Sequence, residues 1–206
     1  MKATVAAANA QTIRAADDHG RPIVWLHNIA LVDVRKDLPS PRYPYRAPDR
    51  VRFVSVHHDA VFYPQDPREG DDFPAELQRL QAVHDYHLQQ GWGGIGYHTY
   101  GFPSGRLYLV GDLNTQRANV AGRNHESIGH CTAGDWSHQV PPIASQLVCA
   151  MAALAAWAHL RRLVAVQGHR DVALSSSPTS CPGDTFSQWM PHLPRAIEAI
   201  ARQRAE

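Results

Sequence analysis

The run Val51-Arg52-Phe53-Val54-Ser55-Val56 is apolar at nearly every position and ends on His57-His58. Alternating polarity marks a strand with one wet face, whereas near-continuous apolarity marks a strand covered on both faces, inside a sheet with layers above and below. A side chain at the end of such a strand is held rigidly by the packed sheet. His57 is therefore a natural position for a residue that does chemistry.

Around this strand the chain alternates helices and strands. Pro74 opens a helix carrying Leu77, Leu80, Val83, His84, His87 and Leu88 on one side, and Gly91 stops it. Residues 97–102 read as a strand, Ser104-Gly105 as a hairpin turn and 106–110 as its return. A short strand over 127–134, a long apolar helix over 142–163 and a strand over 163–166 follow. The last helix is expected over 185–204, with Pro191 and Pro194 as kink points.

With 206 residues, 44% of them apolar, the chain can bury one good core. We read 50–206 as one domain and 1–49 as an N-terminal extension. Residues 1–22 are polar and Ala-rich and read as a loosely docked arm, 23–26 and 29–34 as short strands or a packed lead-in. Pro39, Pro41, Pro44 and Pro48 exclude regular structure through Asp49.

The stretch Gln167-Gly168-His169-Arg170-Asp171-Val172, continuing to Cys181-Pro182-Gly183, brings a His and a Cys together on one loop. Neutral imidazole and thiolate are the ligands Zn²⁺ prefers, and His57 at its strand end is the best third ligand. Three ligands leave one tetrahedral position open, as a hydrolytic zinc requires. The plain reading of a lone Cys, a small buried hydrophobe, suits Cys149 on its apolar helix but not Cys181 in a polar loop. Cys131, Cys149 and Cys181 lack the spacing of a disulfide framework or zinc ribbon.

Formal charge is only +1, and Lys2 and Lys36 are the only lysines among twenty basic residues, so neither a nucleic-acid surface nor lysine-driven membrane binding is expected. No run of about 18 apolar residues occurs and the N-terminal apolar stretch is too short for a secretory signal, so neither membrane insertion nor a signal peptide is expected.

The segments Val56-His57-His58, Gln90-Gly91-Trp92-Gly93-Gly94-Ile95-Gly96-Tyr97-His98, Asn124-His125-Glu126-Ser127-Ile128-Gly129 and Gly168-His169-Arg170-Asp171 with Thr179-Ser180-Cys181-Pro182-Gly183 resemble the type-2 N-acetylmuramoyl-L-alanine amidases and peptidoglycan recognition proteins. Order and spacing agree over about residues 50–200. The resemblance implies an α/β (α+β) fold with a central mixed sheet flanked by helices, and a substrate groove above a zinc ion. It implies cleavage of the amide between the lactyl group of N-acetylmuramic acid and the L-alanine of the peptidoglycan stem peptide. Carried over by position, His57, His169 and Cys181 are the ligands, while Tyr97 and Thr179 line the reacting centre, as proton donor and carbonyl-orienting group.

The chain departs from the family pattern in three places. Cys181 follows His169 by twelve positions, with a surplus at Leu174-Ser175-Ser176-Ser177. Lengthening a loop costs about 0.6 kcal/mol per doubling, so the ligands still meet. Asn119 stands where many members carry a His, which weakens an expected substrate contact, and Cys131 stands where the cytosolic recycling branch has a Glu. Asn119, Asn124 and His58 are the candidate substrate contacts, although His58, on the opposite side of the strand from His57, reads first as a packed or hydrogen-bonded histidine. His84, His87 and His98 read as structural, Trp92 and Ile95 as core, and Arg170 and Asp171 as braces of the ligand loop, with Asp171 a partner for a ligating imidazole. Two other function classes use part of the pattern: a binding-only recognition module, and a hydrolase with Cys181 as nucleophile and His169 as base. The amidase reading uses all four motifs. It implies a monomer that is made in the cytoplasm and reaches the wall by export or, as an endolysin, through a lysis pore.

Overall fold

The structure is a computed structural model and describes residues 15–16, 22–26, 29–61 and 73–197. Eight strands form one mixed sheet: β1 (Ala15–Ala16), β2 (Pro22–Leu26), β3 (Ile29–Asp33), β4 (Phe53–His58), β5 (Thr99–Gly101), β6 (Leu107–Leu109), β7 (Ser127–Thr132) and β8 (Ala165–Gly168). Their order is β1-β2-β3-β6-β5-β7-β4-β8. The pairs β1/β2, β2/β3 and β5/β6 are antiparallel, and the others are parallel. β4 is buried at every position, as its apolar run requires.

Alternation along the strands sorts side chains onto two faces. Val54 and Val56 face α2 (Ile143–Leu160), which buries Ala150, Ala152, Ala153, Ala155 and Ala156 in the same clusters. Small side chains let this helix lie close: a Cβ on Gly101 of β5 would stand 2.5 Å from Val148 Cγ2. Although α2 is long and apolar enough in composition to cross a membrane, half of its residues are buried in the protein. The opposite face is covered by α1 (Phe73–Gln89), whose Phe73 and Leu80 pack with Ile95, Tyr100, Phe102 and Tyr108. Glu76 of α1 is fully buried and accepts hydrogen bonds from Ser104 (2.6 Å), Tyr108 (2.5 Å) and Arg106 (3.1 Å), pinning the helix to the β5–β6 hairpin.

The lead-in segments are strands, and β3 joins the sheet by pairing in parallel with β6. The arm reading of residues 1–22 falls largely outside the described residues. Between β3 and β4, Tyr45 makes an isolated bridge to Thr115, while Pro48–Arg50 forms one 3-10 turn. β8 begins two residues later than its expected start, because Leu163 is 75% exposed and belongs to the turn after α2. Tyr97 and His98 precede β5 instead of lying in it. The expected last helix is broken: α4 (Phe186–Trp189) is followed by a 3-10 turn (Met190–His192) containing Pro191, which lacks the N–H needed to continue an α-helix. Helix resumes at Leu193, and residues 198–206 lie outside the described residues.

Candidate metal centre

Parallel register brings two of the three predicted ligands together. Val56 of β4 is opposite Gly168 of β8, so the next residues, His57 and His169, emerge side by side at the carboxyl ends of their strands. Their ring centroids are 4.5 Å apart. His169 opens the short helix α3 (His169–Val172), where Asp171 Oδ2 accepts the Gly168 N–H at 3.0 Å. The Asp171 carboxylate is thus engaged with backbone at this turn, and Arg170 braces the loop as expected: its guanidinium donates to Ser180 O and to Asp184 Oδ1 (3.0 Å), and its N–H to Cys181 O. Cys181 comes to lie with its Sγ 3.7 Å from His57 Nδ1.

One donor atom from each of His57, His169 and Cys181 lies within 4.8 Å of the other two. Zn–N of about 2.0 Å and Zn–S of about 2.3 Å in a tetrahedron separate N from S by about 3.5 Å. The His57–Cys181 spacing therefore fits zinc, as does the chemistry of the donor set. Burial shifts each group toward its neutral form: His57 well below 6.5, with help from His169, His169 to about 4, and the Cys181 thiol up to about 12. Neutral imidazoles are ready ligands, and a thiol that stays protonated without a cation releases its proton on metal binding. The same shifts disfavour the Cys-His nucleophile, which needs a thiolate beside an imidazolium.

His57, His169 and Cys181 lie in an open cleft of about 360 Å³ that is also lined by His58, Trp92, Tyr97, Asn119 and Thr179. The Tyr97 ring is tilted against His57 at 5.2 Å, and burial raises its phenol well above 10, so the hydroxyl keeps its proton and acts as a donor. The hydroxyls of Tyr97 and Tyr100 flank the Cys131 thiol. Tyr100 in turn donates to Asp59, whose carboxylate also takes Arg79 Nε (2.7 Å) and Gly134 N (2.9 Å). Thr179 accepts the Cys181 N–H at 3.1 Å and so supports the ligand loop from within the cleft.

The predicted substrate contacts are placed as follows. His58 is 8% exposed, lines the cleft and accepts the Trp136 N–H on Nδ1 at 3.1 Å. Asn119 is buried, with its side chain bonded to Ser55, Ser127 and Arg117 O. Asn124 Oδ1 accepts the N–H groups of Asn119 (2.9 Å) and Val120 (2.8 Å) and holds their loop. Ile95 is core, but Trp92 is 37% exposed and forms part of the cleft wall. Its place among glycines in Gly91-Trp92-Gly93-Gly94, with no helical or strand partner, was the available signal.

Comparison with known proteins identifies the family. The family model described as N-acetylmuramoyl-L-alanine amidase matches residues 47–184. Peptidoglycan recognition protein 1 of Bos indicus is 34% identical over 151 residues, covering 70% of this chain and 75% of the relative. The endolysin of Enterobacteria phage K11 is 27% identical over 115 residues, covering 54% and 74%. Among solved structures, PGRP-SA of Apis mellifera superposes with a TM-score of 0.64 at 16% identity, covering 78% of this chain and 94% of that one. The endolysin amidase LysCS of Clostridium intestinale URNW gives 0.57 at 20% identity, covering 73% and 88%. The chain belongs to the N-acetylmuramoyl-L-alanine amidase family.

Proposed function

We propose that the protein is a zinc-dependent N-acetylmuramoyl-L-alanine amidase, hydrolysing the amide between the muramic lactyl group and L-alanine of the stem peptide. The observation that carries this is the convergence of His57, His169 and Cys181 donors within 4.8 Å on the floor of an open cleft. A zinc ion held there supplies a Lewis acid that polarises the carbonyl and makes water nucleophilic near neutral pH.

The chain's own residues do the rest. Water adds to the lactyl carbonyl carbon, the C–N bond breaks, and the alanine nitrogen leaves with a proton as an amine. Tyr97, protonated beside the ligands, donates a hydrogen bond to the charge that develops on the carbonyl oxygen. Thr179 lines the same wall and steadies Cys181. Trp92, partly exposed in the cleft wall, and His58, which also lines the cleft, would meet the muropeptide. Like the endolysins among its relatives, the enzyme would act on the cell wall.

A binding-only module is the second reading, favoured by the 34% identical recognition protein. Mass spectrometry of digested cell walls separates the two. New L-alanine amino termini and free muramic lactyl carboxyls are expected, together with one zinc per chain. Walls that bind the zinc-loaded protein yet yield neither product would leave the recognition reading standing.

A further inference from the structure

We propose that Asn119, acting through Ser55, fixes the ring tautomer of His57 so that its Nδ1 lone pair faces the metal position; this rests on the zinc reading above. The argument begins at an atom with only one possible role. Asn119 Nδ2 lies 2.8 Å from Arg117 O, and a backbone carbonyl can only accept. That orients the amide and leaves Oδ1 facing two hydroxyls, Ser55 Oγ and Ser127 Oγ, each at 2.8 Å. An amide oxygen can only accept, so Ser55 gives its single proton to Asn119.

Ser55 Oγ also lies 3.1 Å from His57 Nε2. With its proton committed, the hydroxyl can only accept there, and Nε2 must carry the hydrogen. The lone pair of the neutral ring is then on Nδ1, the nitrogen 3.7 Å from Cys181 Sγ. The opposite tautomer would require Ser55 to turn its proton to Nε2 and leave Asn119 Oδ1 with one donor fewer, in a site where Ser55 is fully buried.

The backbone is built around this amide. A Cβ on Gly129 of β7 would stand 2.8 Å from Asn119 Cγ, so glycine at that position makes room for it. Asn124 holds the loop from which Asn119 projects, through both backbone bonds already described. Asn119 and Asn124 thus serve as positioning residues for a ligand. Ordering a ligating imidazole by its other nitrogen is worth about 10–100-fold in metal affinity.

The test uses the full chain with ¹⁵N-labelled histidine. Long-range ¹H–¹⁵N spectra of the metal-free protein should show His57 as the Nε2–H tautomer. Ser55→Ala should give a tautomer mixture and raise the zinc dissociation constant about 10–100-fold in chelator competition. Asn119→Ala should act in the same direction by freeing the Ser55 proton. A wild-type Nδ1–H tautomer would overturn the inference, and so would variants that keep both the wild-type tautomer and the wild-type zinc affinity. If a variant unfolds by circular dichroism, the wild-type tautomer decides alone. Failure of the wild-type chain to bind zinc would instead sink the metal reading, which the tautomer spectrum does not address.

Discussion

Acidification should unfold this protein through its buried histidines. His84, His87 and His98 each accept a backbone N–H on Nδ1, from Ile95 (3.1 Å), Gly96 (3.1 Å) and Gly129 (2.9 Å). A protonated ring has no lone pair for such a bond. Burial holds His87 at about 4 and His130 at about 3, against 6.5 for an exposed histidine. The unfolded chain therefore takes up these protons first as pH falls. The stability linked to each is complete above pH 6.5 and declines toward the folded value, about 4 for His87 and about 3 for His130. Each contributes a slope of about 1.4 kcal/mol per pH unit, and the His87 interval alone amounts to about 3 kcal/mol. Set against a typical total of about 5–15 kcal/mol, His87 and His130 together remove a large part of the stability by pH 4. Urea unfolding from pH 7.5 to 4.5, with chelator present to silence metal binding, measures the slope. His87→Gln keeps an acceptor for Gly96 but cannot protonate, and should reduce the slope by about one proton. A free energy of unfolding that stays flat between pH 7 and 4.5 would refute the reasoning.

Three substitutions probe the centre and its supports. Tyr97→Phe keeps the ring against His57 but removes the donor, and turnover should fall about 10²-fold or more with zinc retained, while an unchanged rate would mean that another group serves the oxyanion. Cys181→Ser replaces a thiolate ligand with a poorly ionised hydroxyl; zinc and hydrolysis should be lost while the protein still sediments with insoluble peptidoglycan, and a variant that keeps zinc yet loses all activity would bring back the nucleophile reading. Arg79→Ala strips the cation from the Asp59 carboxylate, which is 4% exposed, and should cost about 3–5 kcal/mol in chemical denaturation, with a loss under about 1 kcal/mol showing that Tyr100 and Gly134 suffice.

The parts of this fold that were legible in the sequence are those whose signal is local. β4 announced itself by a nearly continuous apolar run, α1 by spacing on one face with Gly91 behind it, and the ligand loop by a His and a Cys placed where neither packs as core. Boundaries that depend on tertiary context were displaced. Leu163 looked like strand but is exposed at the turn after α2, and Trp92 looked like core but forms the cleft wall. The helix expected over 185–204 carried its own warning in Pro191, yet whether a proline kinks or divides a helix depends on what packs beside it, here Trp189 and Leu193 in one cluster with Phe186.

The support of the metal centre was out of reach for a different reason. Ser55 and Asn119 are 64 positions apart, and neither residue type signals metal chemistry. Their connection exists only because β4 and β7 pair in parallel with Ser55 opposite Gly129, the position where a missing side chain admits the Asn119 amide. A histidine at 119, as the family resemblance leads one to expect, would bring an imidazole into the space between Ser55, Ser127 and Gly129, with a ring nitrogen that can donate or accept. An amide whose nitrogen is committed to Arg117 O has no such freedom, because its oxygen only accepts. The departure at Asn119 thus exchanges an adaptable group for one with a single hydrogen-bonding sense, and it acts on His57 through Ser55 from a buried position within the cleft.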